Sequence, residues 1–101
     1  MITCVGSLTH YNIRFANQQT GTSDKGYFEI LSLCGTLSVS GAHLHISIAD
    51  MEGKTIGGHL LDGCTIYTTA EIVIGESKDL IFTRENDDIT QWKELQVKSN
   101  K

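Results

Sequence analysis

Three histidines, His43, His45 and His59, fall within seventeen residues of one another, and imidazole is the commonest metal ligand among side chains. A His-x-His pair joined by one further His is a recurring ligand set for a metal that keeps an open coordination position. The pair lies in Gly41-Ala42-His43-Leu44-His45-Ile46-Ser47-Ile48-Ala49-Asp50, and the third in Gly57-Gly58-His59-Leu60.

The local pattern has to place those rings together. In a strand, successive side chains alternate faces, so His43, His45, Ser47 and Ala49 share one face while Leu44, Ile46 and Ile48 share the other. Residues two apart on one face are roughly 6 to 7 Å apart along the backbone, close enough for both imidazoles to reach one metal. Asp50-Met51-Glu52-Gly53-Lys54 reads as a tight turn, with Gly53 available for a positive φ and Asp50 as the residue accepting backbone hydrogen bonds. That turn leads into a short strand at Thr55-Ile56 and brings His59 back alongside. Gly57 and Gly58 leave room for close approach of backbone or ligand. The alternative is a pair of surface histidines with His59 satisfied by a backbone carbonyl; the spacing and the flanking glycines favour the metal reading.

Other polar residues are weaker candidates. Glu71 sits inside the β-branched run from Thr65 to Ile74, where a carboxylate needs solvent, a cation or an interface. As a general acid or base, or as a partner of a ligating histidine, it would serve the same site; a solvent-facing strand position explains it equally well. Arg84-Glu85 would pair with it or line the cleft, although a surface ion pair is the favoured reading. Glu71 and Glu85 are thus the candidate proton-transfer groups. His10 stands apart. No glycine-rich nucleotide fingerprint, phosphate-binding lysine loop or Gly-x-Ser-x-Gly elbow occurs, so nucleotide-dependent chemistry and serine hydrolysis have no support.

At 101 residues, the chain reads as a single domain over 1–101, able to bury roughly 60 to 70% of its unfolded surface. No apolar run approaches the ~18 residues of a membrane span. The first residues lack the basic and apolar segments of a secretory signal. Cys4, Cys34 and Cys64 are odd in number and form no Cys-x-x-Cys pair, which argues against a disulfide framework and a thiolate zinc site. They read as small core residues of a cytoplasmic protein. The net charge is −4 with two arginines, Arg14 and Arg84, so no basic patch exists to neutralise phosphates in sequence-independent DNA binding.

Strands outnumber helices in the pattern. Phe28 to Val39, Leu44 to Ala49, Cys64 to Ile74, Leu80 to Thr83 and Trp92 to Val97 are rich in β-branched and aromatic residues, separated by Gly, Asp, Ser and Asn clusters. Arg84 to Gln91 reads as an exposed loop or short helical turn. No segment has a long helical period, and no proline-rich linker or repeat divides the chain.

These residues also carry a resemblance. Val5-Gly6-Ser7-Leu8, Arg14-Phe15-Ala16-Asn17, Phe28 to Leu37, His43 to Asp50, Gly57-Gly58-His59-Leu60 and Thr68-Thr69-Ala70-Glu71 together resemble the PPC (plants and prokaryotes conserved) domain, in order and over nearly the whole chain. The resemblance implies an α+β fold on a mainly antiparallel sheet, a homotrimer, and a stand-alone prokaryotic type. In plants the domain is joined to AT-hook motifs that bind AT-rich DNA. The fold is also similar to acetolactate decarboxylase, whose zinc is held by three histidines, and this implies zinc on His43, His45 and His59.

Two departures follow. The chain has no Arg-Gly-Arg core of an AT-hook. PPC domains also carry a further strand and helix ahead of the Val-Gly-Ser segment, which Met1 here precedes almost directly, so the expected fold lacks them. A sheet edge exposed in that way needs cover, which favours self-association. Three functions are then expected in turn: a trimeric zinc-binding domain with no set reaction, a metal-dependent enzyme, and a DNA-associated regulatory or interaction module. The acidic charge counts against the last.

Overall fold

The computed structural model describes residues 3–99. Seven strands follow one another: β1 (Thr3–Arg14), β2 (Thr22–Ser38), β3 (Gly41–Ala49), β4 (Thr55–Leu60), β5 (Thr65–Val73), β6 (Leu80–Asn86) and β7 (Lys93–Ser99). The first five form an antiparallel sheet in the order β2-β3-β4-β1-β5, and β2 also pairs with β1. That extra pairing closes β1, β2, β3 and β4 into a ring, with β5 added along the outer edge of β1. The last two strands form a separate hairpin.

Ring closure depends on β1, which carries β2 on one edge and, on the other, β5 over Thr3–His10 and β4 at Ile13 and Arg14. The core inside the ring is small: Cys4, Leu8, Tyr11, Ile13, Ile30, Leu33, Ile46 and Ile48 are buried, with Phe28 set edge-on against Tyr11 at 5.0 Å. Ile13 and Ile48 are fully enclosed, each contributing roughly 1.5–3 kcal/mol of apolar burial.

The antiparallel sheet matches the sequence expectation, whereas the helical half of the α+β expectation has no counterpart. Among the described residues there is no α-helix, and none is long and apolar enough to cross a membrane. No segment repeats its apolar residues with a helical period, while β-branched pairs and Gly-containing turns recur throughout.

Two strand boundaries also differ. The composition places no strand before Phe28, yet β1 and the first part of β2 lie there. The bulge between Leu8 and His10 moves the inward positions of β1 from Cys4 and Leu8 to Tyr11 and Ile13, which breaks the period of two that marks a strand. Arg84–Asn86, expected in a loop, continue β6 because Leu95, Glu94 and Lys93 pair with them. The turn itself covers 87–92, where the Asp87 carboxylate accepts the Ile89 and Thr90 N–H groups.

Candidate metal centre

The histidine strand folds as its alternation requires. Ile46 and Ile48 point into the core, leaving His43, His45 and Ser47 on the outer face. After Ala49 the chain reverses: Asp50 Oδ1 accepts the N–H groups of Glu52 and Lys54, both at 2.9 Å, and Gly53 takes a φ of 81°. The turn sets a register in which His45 faces His59, and the same row continues to Cys34 on β2 and Arg14 on β1. Directly opposed residues of antiparallel strands share a face. Cys34, His45, His59 and Arg14 therefore form one outward row across four strands, with His43 two positions along β3.

Gly57 and Gly58 allow β4 to lie that close. A Cβ at Gly57 would stand 2.7 Å from the Ile46 carbonyl oxygen, and one at Gly58 would stand 2.6 Å from that of Arg14. The room left by these glycines is taken by backbone on both sides, and this holds His59 between β3 and β1.

The three rings meet. Centroids are 5.2 Å apart for His43 and His45, 5.1 Å for His43 and His59, and 5.9 Å for His45 and His59. One ring nitrogen from each lies within 4.8 Å of the others. Nitrogens at about 2.0–2.1 Å from one tetrahedral zinc stand roughly 3.3 Å apart, so the rings would turn inward to share one ion. The donor set therefore fits a metal. Among the described residues it is the only such cluster of His, Cys, Asp and Glu.

At His43 and His59 the surroundings favour the neutral imidazole, the form that ligates. Partial burial, then the Arg84 guanidinium and the neighbouring His45, push the His43 pKa below its usual value, with Glu94 acting in the opposite sense. Burial and then Arg14 do the same to His59. Arg84 belongs to the β6–β7 hairpin, which also places the Trp92 ring 5.0 Å from the Arg14 guanidinium carbon.

The other sequence candidates lie elsewhere. Glu71 pairs with Val5, nine residues along β1 from Arg14, and its charge adds to burial in raising the Cys4 thiol pKa. Glu85 is joined to Lys98 at 3.3 Å, both side chains being largely exposed. The carboxylate that acts on His43 is instead Glu94, held by the Thr90 hydroxyl at 3.1 Å. The sequence offers Arg84 only as a partner of Glu71 or a cleft-lining residue and marks neither Arg14 nor Glu94, because strand pairing and hairpin docking bring them in. Cys4 is buried and Cys64 half-buried as core residues, but Cys34 is exposed; Leu33 takes the inward position and turns its neighbour out. Asp50 is the turn residue expected.

Similarity to known proteins follows this geometry. The chain is 43% identical over 97 residues to two proteins named "Bifunctional protein GlmU", from Synechococcus sp. strains JA-3-3Ab and JA-2-3B'a(2-13). It covers 96% of this chain but spans only 16% and 15% of those proteins. A hypothetical protein of Salmonella enterica superposes with a TM-score of 0.92 at 45% identity, over 96% of this chain and 70% of the other. A Bacteroides thetaiotaomicron protein named for a suspected DNA-binding activity shares the fold, with a TM-score of 0.71 at 21% identity over 93% of this chain and 71% of the other. Residues 1–78, which hold all three clustered histidines and the ring of strands beneath them, match a single family profile, and the chain belongs to the Plants and Prokaryotes Conserved (PCC) domain family.

Proposed function

We propose that this PCC domain binds zinc through His43, His45 and His59, keeps a coordination position open to a small ligand, and works as a homotrimer in the cytoplasm. The observation that carries the reading is the convergence of three imidazole donors within 4.8 Å on adjacent strands. Arg14 and Arg84 help keep the His43 and His59 rings uncharged. When bound, the ion supplies Lewis acidity; around it, Arg14, Arg84 and Glu94 are the charged groups able to orient a ligand. A proton-transfer role falls to Glu94 ahead of Glu71 and Glu85 on position alone, and no reaction is assigned.

Self-association has its own support. Strand β5 leaves Ile66, Ile72 and Val73 between 47 and 56% exposed, and Val5 beside it is 60% exposed. Such an apolar edge is a template for another chain. Three free thiols fit a reducing compartment.

The competing reading, a DNA-associated module, is favoured by the description of the Bacteroides relative. Its physical support is poor: the chain carries a net charge of −4, and both arginines stand at the histidines. Metal analysis of protein purified without a histidine tag tests the proposal. About one zinc per chain in the wild type and far less in His45→Ala is expected, and a metal-free wild type after zinc supplementation sinks it. For DNA, a salt-dependent shift of an AT-rich duplex is required.

A further inference from the structure

We propose that the three-histidine site takes a small oxyanion, a carboxylate or phosphate group, with Arg14 and Arg84 as its recognition residues. This rests on the metal-site reading, since the anion would sit at the open position beside the histidines.

The chain has only two arginines against twelve acidic residues, and the two are seventy residues apart. Both nevertheless arrive at the same place. Arg14 is the register partner of His59 and belongs to the outward row that holds His45. Arg84 comes from the hairpin and donates to the carbonyl of Lys93, the neighbour of Trp92, whose ring lies 5.0 Å from the Arg14 guanidinium carbon. In an acidic protein, guanidinium groups brought together without purpose would be expected to find carboxylates. The contacts described for these two leave their charge in place: Arg84 donates to the Lys93 carbonyl at 2.6 Å, and Arg14 lies over Trp92.

Those contacts orient both groups. A guanidinium has five N–H donors in a rigid fork that matches the paired oxygens of a carboxylate or phosphate, and stacking on an aromatic ring fixes its plane while leaving its edge free. Glu94, hydrogen-bonded to Thr90, is the opposing charge, so the site favours a ligand small enough to engage the arginines without approaching that carboxylate.

The two recognition residues also come from different parts of the chain. The histidines and Arg14 fall within the family's matched residues 1–78, whereas Arg84 and Trp92 do not. The hairpin therefore supplies its half of the recognition wall from outside the matched segment.

Trp92 is the only tryptophan in the chain and touches Arg14, so its fluorescence reads the site. Acetate and inorganic phosphate are titrated separately into the full chain at constant ionic strength, with zinc content measured in each sample. A saturable change in Trp92 emission is expected for at least one of the two. Its half-saturation should rise at least tenfold in Arg84→Gln and in Arg14→Gln, and by less in Arg84→Lys, which keeps the charge but loses the fork. Circular dichroism of each variant separates lost recognition from lost fold, and Arg84→Lys stands in if either glutamine variant does not fold. Response to acetate alone assigns a carboxylate, and to phosphate alone a phosphoryl group. Zinc-loaded protein that responds to neither anion, or whose response is unchanged in the arginine variants, overturns this proposal while leaving the metal reading intact. An arginine-dependent response in protein that holds no zinc after supplementation removes the metal reading and supports anion recognition by the two arginines without the open metal position.

Discussion

His45 and His59 are register partners across the β3–β4 ladder, with ring centroids 5.9 Å apart, although fourteen residues separate them in sequence. His45 is exposed and His59 partly buried, so the pair offers one readily replaced imidazole and one held by the fold. His45→Ala should leave the metal-free protein folded with little change in Tm, because the side chain adds nothing to the core. Added zinc should raise the Tm of the wild type, since a ligand bound only by the folded state stabilises it, and should leave that of His45→Ala nearly unchanged. Thermal scans with and without zinc check both statements.

The close packing around His59 makes Gly58 a sensitive position. A methyl group there would stand 2.6 Å from the Arg14 carbonyl oxygen and 3.0 Å from Ile13 Cγ2, so β1 and β4 must separate. Gly58→Ala is expected to cost roughly 1–3 kcal/mol, in the range of an overpacked interior, and to weaken zinc binding because His59 moves with its strand. Urea unfolding gives the first quantity, and zinc competition with a chromogenic chelator gives the second.

Acid should destabilise the metal-free domain in a defined direction. His43 and His59 have folded-state pKa values below the ordinary histidine value of 6.5, so between those values the unfolded chain binds more protons than the folded one. Stability is then full above pH 6.5, falls as the pH drops through the window, and levels off below the folded-state values. Replacing Arg84 with Gln removes one cause of the His43 shift and should narrow the window from below. Unfolding midpoints measured from pH 8 to pH 5 in wild type and Arg84→Gln decide this.

A core position behind the histidines provides the contrast. Ile48 is fully buried on the inward face of the strand that carries His43 and His45. Ile48→Ala should cost roughly 2–5 kcal/mol, visible as a lower urea midpoint, and should loosen metal binding only through loss of fold.

The apolar edge of β5 gives a prediction about assembly. If a second copy covers it, Ile72→Asp should reduce a trimer to smaller species without abolishing the β signal of the monomer. Sedimentation velocity reports the mass, and a wild type that sediments as a monomer at micromolar concentration ends the trimer reading.

The histidine cluster was legible because its residues are local. The alternation from His43 to Ile48 separates polar from apolar faces, and Asp50 with Gly53 marks the turn that returns His59, so residues within one short stretch specify their own geometry. The charged surroundings were not legible for the opposite reason. Arg14 reaches His59 through a two-residue pairing at the end of β1, and Arg84 and Glu94 arrive on a hairpin whose sequence says nothing of where it docks. The assignment of Cys34 to the core failed because the register shift between Ile30 and Ser32 moves the inward position from the even-numbered residues to Leu33, which alternation from Ile30 does not anticipate. In β1 the bulge at Leu8 and His10 hid a twelve-residue strand, because register shifts erase the periodicity on which strand recognition depends.

The Asp50–Gly53 turn has a consequence for how the domain is assembled. It joins all three imidazoles within a single β-hairpin of adjacent strands, and closing so short a loop costs little chain entropy. The pairing of β1 with β5 links residues 55 to 70 positions apart, and non-local contacts of that kind form slowly. The nascent chain therefore acquires its three donors early, and the two guanidinium groups join them only when both ends of the sequence have been gathered in.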